Sequence, residues 1–448
     1  MSKQLPTVAI VGRANVGKSS LFNRLVGAQQ AIVAREAGTT RDTVVGKVGY
    51  GNHHFWLVDT AGLKTAEDEF EATIQEQIDE ATDVADVIVV VVEANVMVSD
   101  EDRAVAKKAL RSKKPTMLVI NKSDKVDALP VEEFLRLGIK AIVRTSAEHA
   151  RGIDELLGAI IQHISPKKDI ADDNVLRIAL IGRPNVGKSY LFNTLANKQQ
   201  AIVANVAGTT RDVNRTRVRY QQRDVELLDT AGIRRSGKQE VGIEKFSVLR
   251  SLQAIEQADI CLLVMDVNEL NVALDQKLAG IIKEAGKGLV LAISKWDNLE
   301  DKTPFSRDEI AKKLSRNFQF VPWAPLIFTS AVTGQNVTKI FDLSLEIETR
   351  RQLQLKTSQL NGLLQKVIDK HPPAGLRGAH PKLRYLVQTD VGPPWFVLFG
   401  SDLRYLHWSY KRYLEHAMRD SFDFIGTPIM FSYRDQKAER QHKERAET

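Results

Sequence analysis

The sequence predicts an α/β protein with two tandem domains of mainly parallel β-sheet and a smaller α/β domain after them. Three observations lead to this organisation. A short apolar run followed by a glycine-rich loop occurs at residues 8–20 and again at residues 178–190. Other short segments recur at the same offset of 170 residues. Within each repeat, apolar runs alternate with amphipathic helical patterns, which is typical of a parallel sheet covered by helices on both faces.

The composition is that of a folded protein. The chain has 448 residues, which is long for one hydrophobic core and suggests about three domains. It has no charged start followed by an apolar leader and no apolar run of about eighteen residues, so we expect a cytoplasmic protein that is neither secreted nor membrane-spanning. The single cysteine, Cys261, lies in an apolar run and is predicted to be buried, which fits a reducing compartment.

The net charge of +7 is unevenly distributed. Residues 350–448 contain 17 Lys and Arg against 10 Asp and Glu, whereas residues 1–349 contain 46 of each sign. The excess of positive charge therefore belongs to the C-terminal part. It hints at an anionic partner, although a solvated surface is the alternative explanation.

The repeat also sets the expected domain limits. The segments Q-Q-A-I-V-A, A-G-T-T-R-D and D-T-A-G each occur twice at one offset, which indicates a tandem duplication with a domain-sized period. A polar, charged stretch between the repeats is typical of a linker. We predict a first domain at residues 1–164, a linker at 165–175, a second domain at 176–349, a C-terminal domain at 350–434 and a disordered tail at 435–448.

The predicted elements follow the apolar periodicity. Strands of the first domain are expected at residues 7–11, 54–58, 87–92, 117–120 and 141–144, and the almost continuous apolar run 87–92 predicts a strand buried on both faces. In the C-terminal domain we expect a helix at 358–369, strands at 383–388 and 396–399, a basic amphipathic helix at 408–419 and a last strand at 427–433.

Each glycine-rich loop reads G-x-x-x-x-G-K-S between a strand and a helix, which is the pattern of a phosphate-binding P-loop. The glycines permit a tight turn that aims backbone N–H groups at an anion, and the lysine adds positive charge for the β- and γ-phosphates. The serine hydroxyl is a hard oxygen ligand for Mg²⁺. The predicted phosphate-binding residues are Gly12, Arg13, Ala14, Asn15, Val16, Gly17, Lys18 and Ser19, and Gly182, Arg183, Pro184, Asn185, Val186, Gly187, Lys188 and Ser189.

Two motifs after each P-loop suit a metal and a phosphate sensor. A D-T-A-G segment follows an apolar strand, where its carboxylate can hold a metal-bound water and its glycine amide can contact the γ-phosphate. A pair of threonines precedes it, and we favour the second threonine as a metal-sensing hydroxyl. These residues are Thr40, Asp59, Thr60, Ala61, Gly62 and Leu63, and Thr210, Asp229, Thr230, Ala231, Gly232 and Ile233. The predicted metal ligands are Ser19, Thr40, Asp59, Ser189, Thr210 and Asp229.

Base selection is predicted at the N-K-S-D segment, residues 121–124. Its carboxylate can accept two hydrogen bonds from the N1–H and N2–H₂ groups of guanine, and adenine offers no such pair of donors, so the motif favours GTP over ATP. A Ser-Ala pair after the next strand fits a loop that contacts the guanine O6. The residues are Asn121, Lys122, Ser123, Asp124, Ser146 and Ala147, and in the second domain Ser294, Lys295, Trp296, Asp297, Ser330 and Ala331.

The second domain departs from this pattern at two positions. Ser294 stands where Asn is expected and should lose the contacts that brace the base and the P-loop, each worth about 0.5–1.5 kcal/mol. Tyr190 stands where a small residue usually follows the P-loop serine. We therefore expect weaker nucleotide binding at the second site, but not its loss.

With these motifs the chain resembles the Der family of bacterial GTPases, also called EngA. The resemblance covers nearly the whole chain, from the first P-loop to about residue 433, and includes the segments W-F-V-L-F, S-Y-K-R-Y-L and G-T-P of the C-terminal part. It implies two GTPase domains followed by a KH-like domain, with GTP or GDP and Mg²⁺ as ligands. It also implies GTP hydrolysis to GDP and phosphate, and a switch role in the assembly of the large (50S) ribosomal subunit. The partner would be that subunit or its precursor, through rRNA or ribosomal proteins, and we expect a monomer off the ribosome.

The catalytic route is predicted to differ from that of Ras-like GTPases. Leu63 and Ile233 stand where those enzymes have a glutamine, and neither side chain can orient a water. Asn15 and Asn185 match instead the related GTPases that use a bound K⁺, which predicts slow, K⁺-stimulated hydrolysis, although a turn role is the alternative for both. The predicted catalytic residues are Asn15, Lys18, Thr40, Asn185, Lys188 and Thr210.

Two other functions stay open at this point. A GTPase of the tRNA-modification type shares the Asn-containing P-loop and the G-T-T-R-D loop, but it has one such domain inside a helical domain. A nucleotide-bound scaffold with little hydrolysis is suggested by Ser294 and Tyr190.

The C-terminal domain offers little support for an RNA-gripping loop. The segment G-L-R-G at 375–378 has the letters of the KH loop but lies between a helix and a strand, so we interpret it as a turn. Lys382, Arg384, Lys411 and Arg412 could contact phosphate, and docking against a GTPase domain is an equal alternative.

Overall fold

The computed structural model describes residues 5–27, 45–51, 53–59, 85–164, 175–198, 214–229, 243–270, 273–299, 303–373, 375–376 and 379–435. The chain divides into two compact units. One holds residues 1–172 with two short pieces of the second repeat, and the other holds the rest of the second repeat together with the C-terminal segment.

The first domain is built on a six-stranded sheet in the order β2-β3-β1-β4-β5-β6. All neighbours are parallel except β2 and β3, which form an antiparallel hairpin at one edge. The strands are β1 (Thr7–Val11), β2 (Val45–Tyr50), β3 (His53–Asp59), β4 (Val87–Glu93), β5 (Thr116–Asn121) and β6 (Ala141–Arg144). The described helices are α1 (Lys18–Gly27), α2 (Asp100–Arg111), a 3-10 helix (Val131–Leu137) and α3 (Ile153–His163).

Helices cover both faces of this sheet because its central strands are apolar on both sides. Every residue of β4 is buried. Val87, Val89 and Val91 pack into one core with α1 and α3, whereas Ile88 and Val90 pack into a second core with α2 and the 3-10 helix. The prediction of a strand buried on both faces at 87–92 is therefore confirmed.

The second domain repeats this topology. Its sheet has the order β12-β11-β10-β7-β9-β8, again with an antiparallel hairpin at one edge. The strands are β7 (Leu176–Ile181), β8 (Asn214–Tyr220), β9 (Arg223–Asp229), β10 (Ile260–Asp266), β11 (Gly288–Ser294) and β12 (Leu326–Phe328). The helices are α4 (Lys188–Lys198), α5 (Ile243–Gln257), α6 (Ala273–Glu284), a 3-10 helix (Trp296–Asn298), α7 (Ser306–Asn317) and α8 (Lys339–Arg351).

The C-terminal domain is a small three-stranded sheet with two long helices against it. Its elements are α9 (Thr357–Lys370), β13 (Lys382–Asp390), β14 (Trp395–Ser401), a 3-10 helix (Leu403–Tyr405), α10 (Trp408–Ser421) and β15 (Met430–Asp435). Strand β14 is antiparallel to β13 and parallel to β15. Leu360, Leu386, Phe396 and Leu414 form the centre of its core. The predicted fold class of two mainly parallel domains and a small α/β domain is confirmed.

The second domain and the C-terminal domain share backbone hydrogen bonds. The Leu289 N–H of β11 donates to the Gly426 carbonyl at 2.9 Å, and the Gly426 N–H donates to the Trp323 carbonyl at 2.8 Å. Arg351, the last residue of α8, is buried, and its carbonyl accepts from the Gly392 N–H of the C-terminal domain at 2.9 Å. These bonds join the two domains into one compact unit.

Some predicted positions need correction. Strands β2 and β8 were not predicted. The last strand begins at Met430 instead of residue 427, and Pro428, which has no N–H to donate, lies in the interval. Residues 165–174 of the predicted linker and 436–448 of the predicted tail lie outside the described residues. Domain limits stay predictions; helix α8 runs through the expected limit at residue 349.

Two expectations about composition can be checked. Cys261, the second residue of β10, has no exposed surface, as predicted, and burial raises the pKa of its thiol to about 12. No helix in the described ranges is both long and apolar enough to cross a membrane.

Candidate nucleotide sites

Each glycine-rich loop connects the central first strand of its sheet to the helix that follows. Gly12 has φ +154° and Gly182 has φ +149°. A Cβ at Gly12 would lie 2.4 Å from the Val91 carbonyl oxygen, and one at Gly182 would lie 2.4 Å from the Val264 carbonyl oxygen. No residue with a side chain fits at either position without moving the neighbouring strand.

The P-loop lysines point into their own loops. The Lys18 Nζ donates to the carbonyl of Gly12 at 2.8 Å and to that of Arg13 at 2.6 Å. Lys188 Nζ donates to the carbonyl of Arg183 at 2.5 Å. Both ammonium groups are buried. In this arrangement the positive charge is already inside the loop that would surround a phosphate.

Burial affects the protonation of the second lysine. Removal from water lowers the pKa of Lys188 to about 8, against the opposing attraction of Asp229. A phosphate bound in the loop would favour the charged form. Nucleotide binding and protonation of Lys188 are therefore coupled.

The predicted metal ligands of the first site meet in the structure. The Ser19 hydroxyl donates to Asp59 Oδ2 at 2.6 Å. Asp59 pairs with Ile10 at the end of β1, and Asp229 occupies the matching place opposite Leu180 of β7. A hydroxyl and a carboxylate in contact are hard oxygen donors of the kind that suit Mg²⁺ together with phosphate oxygens. The residues therefore fit the metal that the sequence implies.

Asn121 connects the base loop to the P-loop. Its Nδ2 donates to the Val16 carbonyl at 3.0 Å, and its Oδ1 accepts from Thr145 Oγ1 at 3.1 Å and from the Ala147 N–H at 3.2 Å. Lys122 adds a second connection, because its Nζ donates to the Asn15 carbonyl at 2.9 Å. Three loops that would surround one nucleotide are thus held together by two neighbouring residues.

The predicted guanine acceptor is held as a carboxylate. A hydrogen bond from Ser146 lowers the pKa of Asp124 below its usual value. His149 Nε2 lies 3.5 Å from Asp124 Oδ2. Asp124 is solvent-exposed, whereas Ser146 and Ala147 are buried and fixed by the bridge between Ser146 and Arg151. The carboxylate can therefore meet a base that enters from solvent.

The prediction that Ser294 loses the contacts to both the base and the P-loop is partly wrong. Its Oγ donates to the Val186 carbonyl at 2.6 Å, which is the contact that Asn121 makes to Val16 in the first domain. Its second bond goes to the Met265 carbonyl at 3.0 Å. In the first domain Asn121 also accepts from Thr145 and Ala147, and Ser294 makes no equivalent contact among the described residues. Thr329, which corresponds to Thr145, donates from Oγ1 to the Ile293 carbonyl at 3.1 Å instead. The serine therefore retains the P-loop connection and gives up the connection to the base loop.

The remaining base-loop residues of the second site have the same backbone arrangement as in the first. Lys295 adopts φ +54°, as Lys122 adopts φ +61°. Trp296 is buried against Phe328, with Arg307 over its ring, and leaves Asp297 exposed. Ser330 is buried and Ala331 is half-buried. Tyr190 is 63% exposed, so its ring does not fill the loop beside it.

Two pairs of carboxylates were missed by the sequence analysis. Glu93 ends β4 and accepts from Lys122 Nζ at 2.8 Å; Asp266 ends β10 and lies 2.6 Å from Lys295 Nζ. Burial raises the pKa of Glu93, but hydrogen bonds from Lys122 and Lys125 outweigh it and hold that pKa below the usual value. These carboxylates repeat at an offset of 173 residues, as do Asn121 and Ser294, so a search at 170 does not align them.

The second pair fixes the P-loop arginines. Arg13 Nε lies 3.4 Å from Asp102 Oδ1 of α2, and Arg183 Nε lies 3.2 Å from Asp275 Oδ2 of α6. Both carboxylates are buried. In each GTPase-type domain the P-loop arginine is therefore held by the first turn of a helix, α2 in the first domain and α6 in the second.

Several predicted residues lie outside the part of the chain that the structure describes. They are the two threonines before the D-T-A-G motifs and the residues after each motif's aspartate: Thr40, Thr60, Ala61, Gly62, Leu63, Thr210, Thr230, Ala231, Gly232 and Ile233.

A P-loop, a Ser–Asp metal pair and a guanine-type base loop on one parallel sheet define the class of P-loop GTPases. A family profile described as "50S ribosome-binding GTPase" matches residues 7–122 and 177–295, and one described as "KH-domain-like of EngA bacterial GTPase enzymes, C-terminal" matches residues 354–434. The chain belongs to the GTPase Der family.

Proteins named GTPase Der in three bacteria are similar to this chain over almost their whole length. The one of Herpetosiphon aurantiacus is 42% identical (97% of this chain, 98% of that protein), that of Chloroflexus aggregans 41% (97% and 99%) and that of Lachnospira eligens 40% (98% and 99%). The alternative of a tRNA-modification GTPase is set aside by this membership.

Proposed function

We propose that this chain binds and slowly hydrolyses GTP at two sites, stimulated by K⁺, and acts as a nucleotide-dependent switch in the assembly of the large ribosomal subunit. The observation that carries the proposal is the presence of two P-loops and two base loops in one chain, each pair on its own parallel sheet. Both sets lie at the carboxyl ends of the strands, where ligands bind to parallel sheets. Binding of GTP or GDP with Mg²⁺ belongs to the family.

The proposed roles follow from the contacts. Lys18 and Lys188 would exchange their loop carbonyls for phosphate oxygens and neutralise charge that develops on transfer. Ser19 and Asp59, with Ser189 and Asp229, would hold Mg²⁺, which when bound supplies positive charge at the phosphates. Asp124 and Asp297 would accept from guanine. Thr40 and Thr210 would complete the metal-sensing loops.

Asn15 and Asn185 are proposed as K⁺ ligands. They adopt φ +64° and +63°, and their side chains are exposed at the mouth of each loop. Neither side chain has a hydrogen-bond partner within the described residues. Their amide oxygens therefore stay open to a cation, whereas a turn role alone would require only the backbone conformation.

The partner and location rest on the family. The profile that matches both GTPase domains is described as ribosome-binding, which supports the large subunit or its precursor as the partner and the cytoplasm as the location. We retain the proposed limits of 1–164 and 176–349 for the GTPase domains and 350–434 for the KH-like domain, with a linker at 165–175, a tail at 435–448 and a monomeric state off the ribosome.

Turnover of GTP and ATP should be measured in K⁺ and in Na⁺ for the full chain, Lys18→Ala, Lys188→Ala and the double variant. We expect GTP-selective, K⁺-stimulated hydrolysis by each single variant and none by the double variant. Asn15→Ala and Asn185→Ala should lose the difference between the two salts. Equal rates in both salts would remove the K⁺ role, and an unmodified chain without turnover would support a scaffold. Sedimentation with purified large subunits in GDP and in a non-hydrolysable GTP analogue tests the partner.

A further inference from the structure

A basic groove lies on the first domain between helix α2 and the 3-10 helix Val131–Leu137. It has a volume of about 490 Å³. The lining residues are Arg103, Lys107, Leu110, Arg111, Arg136 and Leu137. Four of the six are cationic, and the groove takes no part in the nucleotide site described above.

The cations form an ordered row. Arg103, Lys107 and Arg111 are four residues apart on α2, so they follow one face of the helix at intervals of about 6 Å. All three are exposed, and Arg136 faces them from the opposite wall. Leu110, which is 42% exposed, lines the space between the walls.

Only part of this charge is neutralised locally. Arg103 lies 3.1 Å from Asp100, and Arg136 lies 3.7 Å from Glu133. Lys107 and Arg111 form no ion pair with any residue in the described ranges. The groove therefore presents net positive charge to solvent.

The duplicated domain shows that the fold does not require this row. Asp102 and Asp275 occupy the same position of α2 and α6 and make the same contact to their P-loop arginines. At that register Arg103, Lys107 and Arg111 correspond to Gln276, Gly280 and Glu284. The second domain builds the same helix without one basic side chain in the row, so the row is a surface property of the first domain.

The shape of the groove favours a polyanion over a protein segment. A bound amphipathic helix needs a wide apolar surface, but Leu110 and Leu137 are the only apolar lining residues and Leu137 is 5% exposed. An added strand needs an open sheet edge, and both walls are helical. A row of cationic side chains matches the regularly spaced charges of a polyphosphate backbone, and the guanidinium groups among them can donate paired hydrogen bonds to phosphate oxygens.

We propose that this groove, formed by Arg103, Lys107, Arg111 and Arg136, binds the phosphodiester backbone of ribosomal RNA. The proposal deepens the proposed function, on whose ribosomal partner it rests. Backbone contacts carry no base specificity and position the domain on its RNA. The groove is also attached to the nucleotide site, since Arg103 directly follows Asp102, the partner of P-loop Arg13.

The test is binding of the full chain to deproteinised 23S ribosomal RNA between 50 and 200 mM salt. The groove variant is Arg103→Gln/Lys107→Gln/Arg111→Gln. Its matched control is Lys312→Gln/Lys313→Gln/Arg316→Gln, which removes the same charge from three exposed residues of α7. We expect the groove variant to lose at least tenfold in affinity near 100 mM salt, and its salt slope to fall by about 2 to 3 because three phosphate contacts are lost. The control should change much less, and Arg103→Lys/Lys107→Arg/Arg111→Lys should retain binding.

The outcomes separate this proposal from the proposed function. Equal affinities and slopes for the groove variant and the α7 control would overturn the groove assignment, even if the unmodified chain still sediments with large subunits. A groove variant that loses binding to polyglutamate but not to RNA would overturn it in favour of an acidic protein segment. If the unmodified chain fails to sediment with subunits while the groove variant still loses RNA affinity, the groove stands and the ribosomal function falls. Unchanged GTP turnover of the groove variant in a Lys188→Ala background, where only the first site works, shows that the first domain is folded.

Discussion

Asn121 and Ser294 occupy the same position in the two sites and form different sets of hydrogen bonds. Asn121 joins the P-loop to the base loop through three bonds, and Ser294 retains the bond to the P-loop. A Cβ at Gly17 would lie 2.3 Å from Asn121 Nδ2, whereas one at Gly187 would lie 3.8 Å from Ser294 Oγ. The second site therefore has room for a longer side chain at residue 294.

Ser294→Asn should tighten guanine nucleotide binding at the second site by about fivefold, because one net hydrogen bond is worth about 1 kcal/mol. Asn121→Ser should weaken the first site by a similar factor. Titration with a fluorescent GDP analogue measures both changes. Ser294→Asn is tested in a Lys18→Ala chain and Asn121→Ser in a Lys188→Ala chain, so that one site is observed at a time. An unchanged dissociation constant for Ser294→Asn would show that the base loop needs no such connection.

Lys188 gives a pH dependence with a defined sign. Its pKa of about 8 in the free protein means that the ammonium loses its proton as pH rises through 8, while bound phosphates favour the charged form. Affinity at the second site should therefore be greatest below pH 8 and fall by roughly fivefold between pH 8 and pH 9. The measurement is nucleotide affinity across pH 6.5–9.5 in the Lys18→Ala chain. Lys188→Arg, which stays charged, should remove this decline; a decline that persists would assign it to another group.

Among the elements, the strands buried on both faces were the easiest to predict. Strand β1 was predicted at its observed limits and β4 to within one residue, because Val and Ile dominate them and no polar residue interrupts them. Strands β2 and β8 were not predicted, and the reason differs between them. The first, V-G-K-V-G-Y, contains two glycines, and the second, N-R-T-R-V-R-Y, contains three arginines. Edge strands pair with one neighbour only, and β2 and β8 are only partly buried, so their apolar patterns are weaker than those of the central strands.

The site could be predicted where one residue type is required by backbone geometry or by charge. Gly12, Lys18 and Asp59 are of this kind, and the structure places them around one loop. The contact of Ser294 with Val186 was not predictable, because it depends on how close the end of β11 lies to the P-loop in the folded domain. The roles of Glu93 and Asp102 were hidden for the same reason.

The loop around Gly426 joins the second domain to the C-terminal domain and allows no side chain. Gly426 has φ +78°, and a Cβ there would lie 2.3 Å from Ile347 Cγ1 of α8. Gly426→Ala should lower the free energy of unfolding by about 2–4 kcal/mol, because strain and overlap add. Urea unfolding followed by tryptophan fluorescence measures this.

Gly51→Ala is the matched control, since Gly51 also has a left-handed φ of +58° but no atom within 4 Å of its Cβ. It should cost about 1 kcal/mol. The double variant Gly426→Ala/Ile347→Ala should lose less than the sum of its single variants, because removing the isoleucine removes the overlap. If the losses in unfolding free energy were additive, the alanine at residue 426 would not overlap with the Ile347 side chain.

At the scale of the whole molecule, net charge does not show which basic residues share a surface. The positive excess of the sequence lies in residues 350–448, because residues 1–349 balance to zero. The groove lies within that balanced part. A balance over hundreds of residues averages out a row of three cations on one helix, and only the folded structure shows which charges share a surface.

The compact unit formed by the second repeat and the C-terminal domain predicts how the chain can be divided. A fragment of residues 165–448 should fold cooperatively, because it retains the bonds of Leu289, Arg351 and Gly426. A fragment of residues 165–352 should melt at a lower temperature, since Trp323 and Gly286 lose the groups that cover them. Circular dichroism melting with saturating GDP checks this, and equal melting temperatures would show that the two domains are energetically independent.

The position of Cys261 makes this chain convenient for site-specific labelling. Its thiol has no exposed surface and a pKa of about 12, so maleimide dyes will not react with it while β10 stays folded. A cysteine introduced at Val126, which is fully exposed beside the first base loop, would be the only reactive thiol, and the native cysteine need not be replaced. Slow modification of Cys261 in the unlabelled chain would in turn time the opening of the second sheet.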